Sequence, residues 1–205
     1  LNNIGFESAP LKIITDEKEF VDDNNIDIVE LLHAMKKSSK SSSACPNVDE
    51  FREAMLKYDN CICITITSAL SGSYNAACVA KEMVNEDHPE KNIKVIDSRS
   101  AAGIMELTAR YAIKLINEGR SFDEIAEKAE QYCRECNITI ALSTYDNLIK
   151  NGKMSPIAGL VASALGIRAV STFNEAGEYV LYVTHEETGA FSSMYLIVED
   201  MLYRV

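Results

Sequence analysis

Segments with the character of buried strands alternate with segments of helical periodicity, and this alternation constrains the fold of the chain most. Short β-branched runs cover residues 61–67, 93–96 and 138–142, and they have the length and composition of buried strands. Each run is followed by a segment with helical character. This order favours an α/β architecture with a largely parallel sheet.

Capping residues mark the starts of three helices. Asp27, Asn47 and Ser121 are each followed three residues later by a glutamate, a pattern in which the side chains satisfy free N–H groups at a helix start. A fourth helix is expected within 100–117, with Gly119 as a left-handed cap. The three capped helices are predicted at residues 28–37, 48–58 and 122–134.

The last third of the sequence changes character. Pro156 opens a predicted helix of small residues, and a final amphipathic helix is expected over 191–203. Between them, Asn174-Glu-Ala-Gly177 separates two alternating runs and predicts an antiparallel hairpin. The hairpin strands are expected at residues 168–173 and 178–184. The change predicts a second subdomain that begins at residue 151.

The charge of the chain argues against some classes of function. The net charge is −11, whereas proteins that bind nucleic acid concentrate Lys and Arg to displace phosphate counterions. We therefore expect no nucleic acid partner and at most transient contact with a membrane. The cluster of Lys36, Lys37 and Lys40 is expected to be a solvated helix end. No segment approaches the roughly 18 apolar residues that span a bilayer, and no secretory signal is visible, so the sequence predicts a cytoplasmic protein.

Six cysteines raise the question of a metal site. Cys133 and Cys136 have ligand-like spacing, and Cys61 and Cys63 form a second close pair. However, strand alternation places Cys61 and Cys63 on one face as small core residues, and the other pair ends an amphipathic helix. We therefore expect free thiols in a reducing compartment and no metal.

The segment TSALSGSYNAA, residues 67–77, lies between a predicted strand and a predicted helix. In open α/β sheets, ligands bind at this junction, outside the carboxyl ends of the strands. A helix that begins after Gly72 presents free N–H groups, Ser71 and Ser73 add hydroxyl donors, and Gly72 permits close approach. Such a site prefers an anionic oxygen. The pattern is equally compatible with a Ser71 that only caps the helix.

Two further segments place hydroxyls beside predicted helix starts. VIDSRSA, residues 95–101, follows a strand, and SSSACPN, residues 41–47, leads into a capped helix from a predicted loop over 36–46. We expect the three hydroxyl-rich loops to converge on one crevice.

Four motifs resemble those of the DegV family. SALSGSYNAA resembles its LSGTY-type signature, and SACPNVDEF resembles its TSQPSPEEF-type loop with Ser43 in place of Thr. VIDSRSA resembles its VIDS segment, and NLIKNGKMSPIAGLVASALGIRAV resembles its LxxGGRIS stretch. The motifs follow the family order through most of the chain, and four motifs in one order are far more specific than any one of them.

The resemblance implies a fold and a function. DegV-like proteins, including the FakB type, have two α/β domains and bind a long-chain fatty acid between them. Residues 1–150 would form a three-layer α/β/α domain with a mostly parallel sheet. Residues 151–205 would begin a second α/β domain with a mixed or antiparallel sheet, and this second domain is expected to be incomplete. In the best understood members, the bound acid is presented to a partner fatty acid kinase, which phosphorylates its carboxylate. The resemblance therefore implies that the chain is a carrier without a cofactor.

The resemblance also implies roles for individual residues. Ser43, Ser71 and Gly72 match the positions that hold the fatty acid carboxylate. Ser73 and Ser98 are expected to line the pocket. Lys153 stands where many relatives carry Arg and is a candidate for the surface that faces the kinase. Lys keeps the charge of Arg but loses its bidentate geometry.

The chain departs from the family pattern at both ends. The usual first strand, which ends in a TDS-type segment, and the usual C-terminal portion are both missing. We expect an incomplete chain rather than a reduced homologue, because loss of a central strand would expose ladder groups and apolar surface.

Two other functions remain open from the sequence. A serine hydrolase would use Ser71 with His33, His88 or His185 as base, but the motif is not G-x-S-x-G and no triad spacing is visible. A regulatory or scaffolding domain without a ligand would lack an apolar crevice or fill it with side chains.

Overall fold

The computed structural model describes residues 4–141, 146–150 and 168–185. The strands are β1 (Lys12–Ile14), β2 (Glu19–Val21), β3 (Ser42–Ala44), β4 (Asn60–Thr65), β5 (Asn92–Asp97), β6 (Ile140–Ala141), β7 (Arg168–Phe173) and β8 (Tyr179–His185). The helices are α1 (Ile28–Lys37), α2 (Val48–Leu56), α3 (Ser73–Asp87), α4 (Gly103–Asn117), α5 (Phe122–Glu135) and α6 (Asp146–Lys150). The helices and strands predicted within these ranges are confirmed, with ends that differ by a few residues. The helices predicted after Pro156 and over 191–203 lie outside the described residues.

Side-chain caps fix the helix starts as the sequence predicts. Asn47 accepts a hydrogen bond from the N–H of Glu50, whose carboxylate in turn accepts one from the N–H of Asn47, so α2 begins with a complete capping box. Asp27 and Ser121 accept the corresponding N–H bonds at α1 and α5. Polar side chains next to the apolar periodicity therefore determine where these helices start.

Strands β4 and β5 form the parallel centre of the fold. They pair in register from Asn60 opposite Asn92 to Thr65 opposite Asp97. Helices α2 and α3 cover one face of the pair, and α4 and α5 cover the other. This arrangement is the three-layer α/β/α unit that the family resemblance implies, and it agrees with the α/β architecture that the alternation of strands and helices predicts.

Alternation along β4 divides its side chains between the two helical layers. Cys61 and Cys63 pack against the α2–α3 core, whereas Ile62 and Ile64 pack against the α4–α5 core. The interpretation of Cys61 and Cys63 as core residues on one face is therefore correct. Burial raises the pKa of the Cys63 thiol to about 12, because an apolar surrounding disfavours the thiolate.

Cys63 is expected to resist alkylation in the native protein. At pH 8, its raised pKa leaves roughly a thousandfold less thiolate than an ordinary cysteine has, and only the thiolate is nucleophilic. Iodoacetamide labelling followed by peptide mapping should show Cys63 modified slowly in buffer and rapidly in urea. Equal labelling rates under both conditions would contradict the buried position of this thiol.

The segment predicted as a loop over 36–46 is in part a strand. Residues 42–44 form β3, which pairs antiparallel with β1, and β1 pairs antiparallel with β2. The loop prediction was wrong here because these serines pair with a strand about thirty residues earlier in the sequence. Local composition does not show that such a distant partner exists.

A third sheet contains the predicted hairpin. β7 and β8 pair antiparallel, and Asn174 and Gly177 lie in the turn between them, as predicted. β6 pairs antiparallel with β7 and so belongs to this sheet rather than to the parallel pair. The fold therefore combines a parallel sheet with antiparallel sheets. The domain boundary at residue 151 stays a prediction, although β6 precedes it and pairs with a strand that follows it.

None of the described helices is both long enough and apolar enough to cross a bilayer.

Candidate ligand-binding site

The loop between β4 and α3 carries Ser71, Gly72 and Ser73 at the carboxyl end of the parallel pair. The Ser71 hydroxyl accepts a hydrogen bond from the Ser73 N–H at 3.2 Å. The two hydroxyl oxygens lie 2.8 Å apart and share a second hydrogen bond. Ser73 is buried and Ser71 is half-buried. The predicted hydroxyl pair is thus a compact unit at the start of α3.

This unit keeps donors for a ligand. The mutual bond of the two serines uses one hydroxyl hydrogen, so the other hydroxyl hydrogen is left over whichever serine donates. The backbone N–H groups of Gly72, Tyr74 and Asn75 donate no hydrogen bond to any described residue. Free N–H groups and the positive end of a helix of 15 residues favour an anion.

Ser71 also acts as a local cap. Its hydroxyl oxygen satisfies the N–H of Ser73, while the formal N-cap residue, Gly72, makes no side-chain bond. The two interpretations that the sequence leaves open are therefore compatible, because a hydroxyl that accepts a backbone hydrogen bond still has its own hydrogen.

Gly72 brings the second hydroxyl-rich segment to the first. A Cβ atom at Gly72 would lie 3.2 Å from the Cys45 sulfur, so only glycine permits this approach without a shift. Ser43 lies two residues before Cys45, is exposed, and pairs through its backbone with Ile13. The contact places the segments of Ser43 and Ser71 side by side.

Ser41 is a buried serine in the same segment that the sequence reasoning did not single out. It is 3% exposed, and its hydroxyl oxygen has no partner among the described residues. A buried hydroxyl without a partner is unusual, so Ser41 is a distinctive polar group of the segment that contains Ser43.

Asp97 fixes the loop after β4 to the loop after β5. Its carboxylate accepts hydrogen bonds from the N–H of Ser68 at 3.2 Å, from the hydroxyl of Ser68 and from the N–H of Arg99 at 3.0 Å. Asp97 lies within the motif VIDSRSA, but the sequence reasoning considered only the hydroxyls of that motif. An acid at a strand end, followed by turn residues, is the signal that would have identified it.

Ser98 faces inward. It is 1% exposed, its hydroxyl donates to the carbonyl of Ser100 at 3.0 Å and accepts from the N–H of Ser100 at 3.2 Å. Ser98 also lines a cleft of about 260 Å³ between the loop after β5, the end of α5 and the tip of the hairpin. Ile104, Ile138 and Phe173 contribute apolar side chains to this cleft. Ser43, Ser71 and Ser73 do not line it.

The tip of the β7–β8 hairpin contacts the same loops. The Thr67 hydroxyl donates to the carbonyl of Gly177 at 2.9 Å, and the Arg99 guanidinium donates to the carbonyl of Glu175 at 3.1 Å. Residues more than 70 positions apart in the sequence therefore meet beside the candidate site.

No described residue completes a hydrolase site at Ser71. Its hydroxyl partners are the N–H and hydroxyl of Ser73, while His33 is exposed on α1 and His88 contacts Glu90. The side chain of His185 and the whole of Lys153 lie outside the described part. Within the described ranges, there is also no group of three or more His, Cys, Asp or Glu side chains that could hold a metal ion.

The fold and these groups define an α/β protein with hydroxyl and N–H donors at the carboxyl ends of its parallel strands. The family model "Uncharacterised protein, DegV family" matches residues 1–197. The chain belongs to the DegV family.

Relatives of known sequence support the assignment. A DegV domain-containing protein of Streptococcus pneumoniae is 39% identical over 176 residues, which are 85% of this chain and 63% of that protein. One of Streptococcus pyogenes is 36% identical over 197 residues, which are 96% of this chain and 70% of that protein. The chain therefore spans somewhat less than two thirds of the first relative.

Two solved structures share the fold and contain fatty acids. A DegV family protein from Eubacterium eligens, loaded with heptadecanoic acid, has a TM-score of 0.87 and 30% identity, over 98% of this chain and 73% of that one. The Fatty Acid Kinase (Fak) B3 protein of Streptococcus pneumoniae, loaded with linoleic acid, has a TM-score of 0.86 and 35% identity. The match covers 96% of this chain and 69% of that one. This chain is similar to proteins that bind fatty acids.

Proposed function

We propose that the chain binds a long-chain fatty acid and holds its carboxylate at Ser71, Gly72 and Ser43. The observation that carries this proposal is the set of unused donors at the start of α3, where a hydroxyl hydrogen and the N–H groups of Gly72, Tyr74 and Asn75 have no described acceptor. The fatty acids in the similar structures from Eubacterium eligens and Streptococcus pneumoniae give the ligand class.

The acyl chain supplies most of the binding free energy in this proposal. About 15 buried methylenes at roughly 0.8 kcal/mol each contribute on the order of 12 kcal/mol before the cost of ordering is subtracted. The carboxylate contacts then set the orientation and register of the ligand. An apolar tunnel between the α/β/α unit and the following domain is the proposed position of the acyl chain, and Ser73 and Ser98 stay proposed lining residues.

We further propose that the chain is a carrier that presents the carboxylate to a fatty acid kinase. The similar Streptococcus pneumoniae protein is a component of fatty acid kinase, and the sequence has no glycine-rich phosphate loop that ends in Lys. Lys153 stays a proposed residue of the kinase-facing surface, and no cofactor is required. Six free thiols suit a reducing, cytoplasmic setting.

Ser71→Ala is expected to weaken binding of hexadecanoic acid by about 10-fold to 100-fold. This range corresponds to the free energy that a hydrogen bond to a charged group contributes. Binding of hexadecan-1-ol should weaken much less, because the alcohol carries no charge. Displacement of a fluorescent fatty acid measures both affinities. Equal losses for the acid and the alcohol would contradict the carboxylate role of Ser71.

Adjacent serines on β3 provide a matched control. Ser43 and Ser42 point to opposite faces of the strand because side chains alternate. Ser43→Ala is expected to reduce affinity for the acid, whereas Ser42→Ala should leave it unchanged. Lipid extraction and mass spectrometry of the purified protein test the ligand class itself, and a folded protein that yields no acyl species would favour the scaffolding alternative.

A further inference from the structure

Thr67 connects the loop of Ser71 to the loop after β5 and to the tip of the β7–β8 hairpin. Its side chain is fully buried, and its N–H donates to the carbonyl of Ser100 at 2.8 Å. Its carbonyl accepts hydrogen bonds from the N–H groups of Leu70 and Ser71, both at 3.1 Å. Its hydroxyl donates to the carbonyl of Gly177 at 2.9 Å. The position of the Ser71 backbone therefore depends directly on Thr67.

The hairpin tip is shaped to receive the Thr67 hydroxyl. Gly177 has φ +77°, and a Cβ atom there would lie 2.2 Å from the Thr67 hydroxyl oxygen and 3.1 Å from the Arg99 Cα. The Asn174 side-chain oxygen accepts hydrogen bonds from the N–H groups of Ala176 and Glu178, both at 3.0 Å. These bonds hold the turn, so the carbonyl of Gly177 is a fixed acceptor.

We infer that Thr67 is a positioning residue for the ligand head group and that the β7–β8 hairpin acts on the candidate site through its hydrogen bond to Thr67. The inference rests on the proposed function. A threonine side chain has few χ1 rotamers, and its bond to Gly177 selects one of them. The selected rotamer also places the hydroxyl oxygen 3.4 Å from the N–H of Ala69, inside the same loop.

The clamp at Asp97 supports this role. Asp97, the last residue of β5, accepts two hydrogen bonds from Ser68, the residue after Thr67. These bonds attach the start of the loop to the end of β5. Thr67 fixes it on the side of the hairpin. A loop held at both points presents the donors of Ser71 and Ser73 in one geometry, and preorganised donors discriminate between a carboxylate and an uncharged head group.

Thr67→Val tests the inference because valine keeps the shape of threonine and removes the hydroxyl. We expect the preference for hexadecanoic acid over hexadecan-1-ol to fall about fivefold to tenfold, while affinity for the alcohol changes little. Thr67→Ser keeps the hydroxyl and should restore the preference. A purely structural role would lower stability without a change in the ratio of the two affinities.

Thr172→Val is the matched control. The Thr172 hydroxyl also donates to a backbone carbonyl, that of Ile138 at 2.7 Å, but both residues of this bond lie outside the loop of Ser71. This variant should keep the wild-type ratio of acid to alcohol affinity. A Thr67→Val variant with the wild-type ratio would overturn the inference. A wild-type protein that does not prefer the acid would instead refute the proposed carboxylate site.

Hydrogen exchange of the wild-type protein gives a second test that needs no variant. Saturation with hexadecanoic acid should slow amide exchange in residues 67–75 and in the hairpin tip, 174–178, more than saturation with hexadecan-1-ol does. Equal protection of the tip by both ligands, together with stronger protection of 67–75 by the acid, would overturn the coupling and leave the proposed function intact.

Discussion

Gly177→Ala is expected to lower the free energy of unfolding by about 2–4 kcal/mol. At φ +77°, a residue with a Cβ atom is strained by about 1 kcal/mol or more. The new Cβ would also lie 2.2 Å from the Thr67 hydroxyl oxygen and 3.1 Å from the backbone of Arg99, and overpacking of this kind costs about 1–3 kcal/mol. Urea denaturation of the variant and the wild type measures the difference.

Gly119→Ala separates the two causes. Gly119 has nearly the same φ, +74°, but no heavy atom of the described residues lies within 4 Å of its would-be Cβ. This variant should therefore lose only the conformational part, about 1 kcal/mol. The excess loss in Gly177→Ala then measures the docking of the hairpin tip against Thr67 and Arg99. Equal losses in the two variants would show that the tip is not docked there.

Local interactions explain why the sequence predicts the helices well. The side chains of Asp27, Asn47 and Ser121 bond to N–H groups three residues later, so both partners lie within one short segment of sequence. Gly119 likewise has the left-handed φ expected of a residue that ends a helix. Each of these predictions depends on neighbours in sequence, and the structure confirms it.

Strand pairing is where the sequence is less informative. The sequence predicts a loop at the serines of β3, yet this segment pairs with β1. The sequence of β6 resembles that of the parallel strands β4 and β5, but β6 pairs antiparallel with β7. A run of β-branched or polar residues indicates an extended segment without identifying its partner. The partner is decided by packing between distant segments, which one sequence does not display.

In the candidate site, too, the features that depend on neighbouring residues can be predicted from the sequence, whereas those that depend on distant residues cannot. The hydroxyls of Ser71 and Ser73 and the need for Gly72 follow from a local motif, and the structure places them at the start of α3. The roles of Thr67 and Asp97 depend on contacts with Gly177 and with the neighbouring loop. The proposed ligand donors can therefore be identified from the sequence, whereas the residues that hold them in place are found only from contacts in the fold.

Lys150→Met is expected to lower the free energy of unfolding by about 1.5–3 kcal/mol, because hydrogen bonds from a charged donor are stronger than neutral ones. The Lys150 ammonium group donates to the carbonyls of Met35, Lys36 and Ser38 at 3.0, 3.1 and 3.0 Å. It thereby uses its three hydrogens on the C-terminal end of α1, where the helix dipole also favours a positive charge. Methionine keeps the length of the side chain, and thermal or urea denaturation measures the loss.

Lys37→Met is the control for the removal of a nearby charge. The side chain of Lys37 is 77% exposed and meets Glu17 at 3.8 Å, and such surface ion pairs contribute little. This variant should change stability by less than about 0.5 kcal/mol. A loss as small as this in Lys150→Met would show that water replaces the ammonium group at the helix end without cost.

The effect of Lys150 should also depend on pH through Asp16. The N–H of Ser39 beside Asp16 lowers the pKa of that carboxyl, and the positive charge of Lys150 lowers it further. A lowered pKa in the folded state adds stability that is present at neutral pH and is lost as the pH falls through that pKa. Since a protonated Asp16 no longer attracts Lys150, the stability difference between the wild type and Lys150→Met should shrink as the pH falls through the lowered pKa of Asp16. Denaturation curves at neutral and acidic pH test this dependence, and a constant difference would mean that Asp16 and Lys150 do not interact.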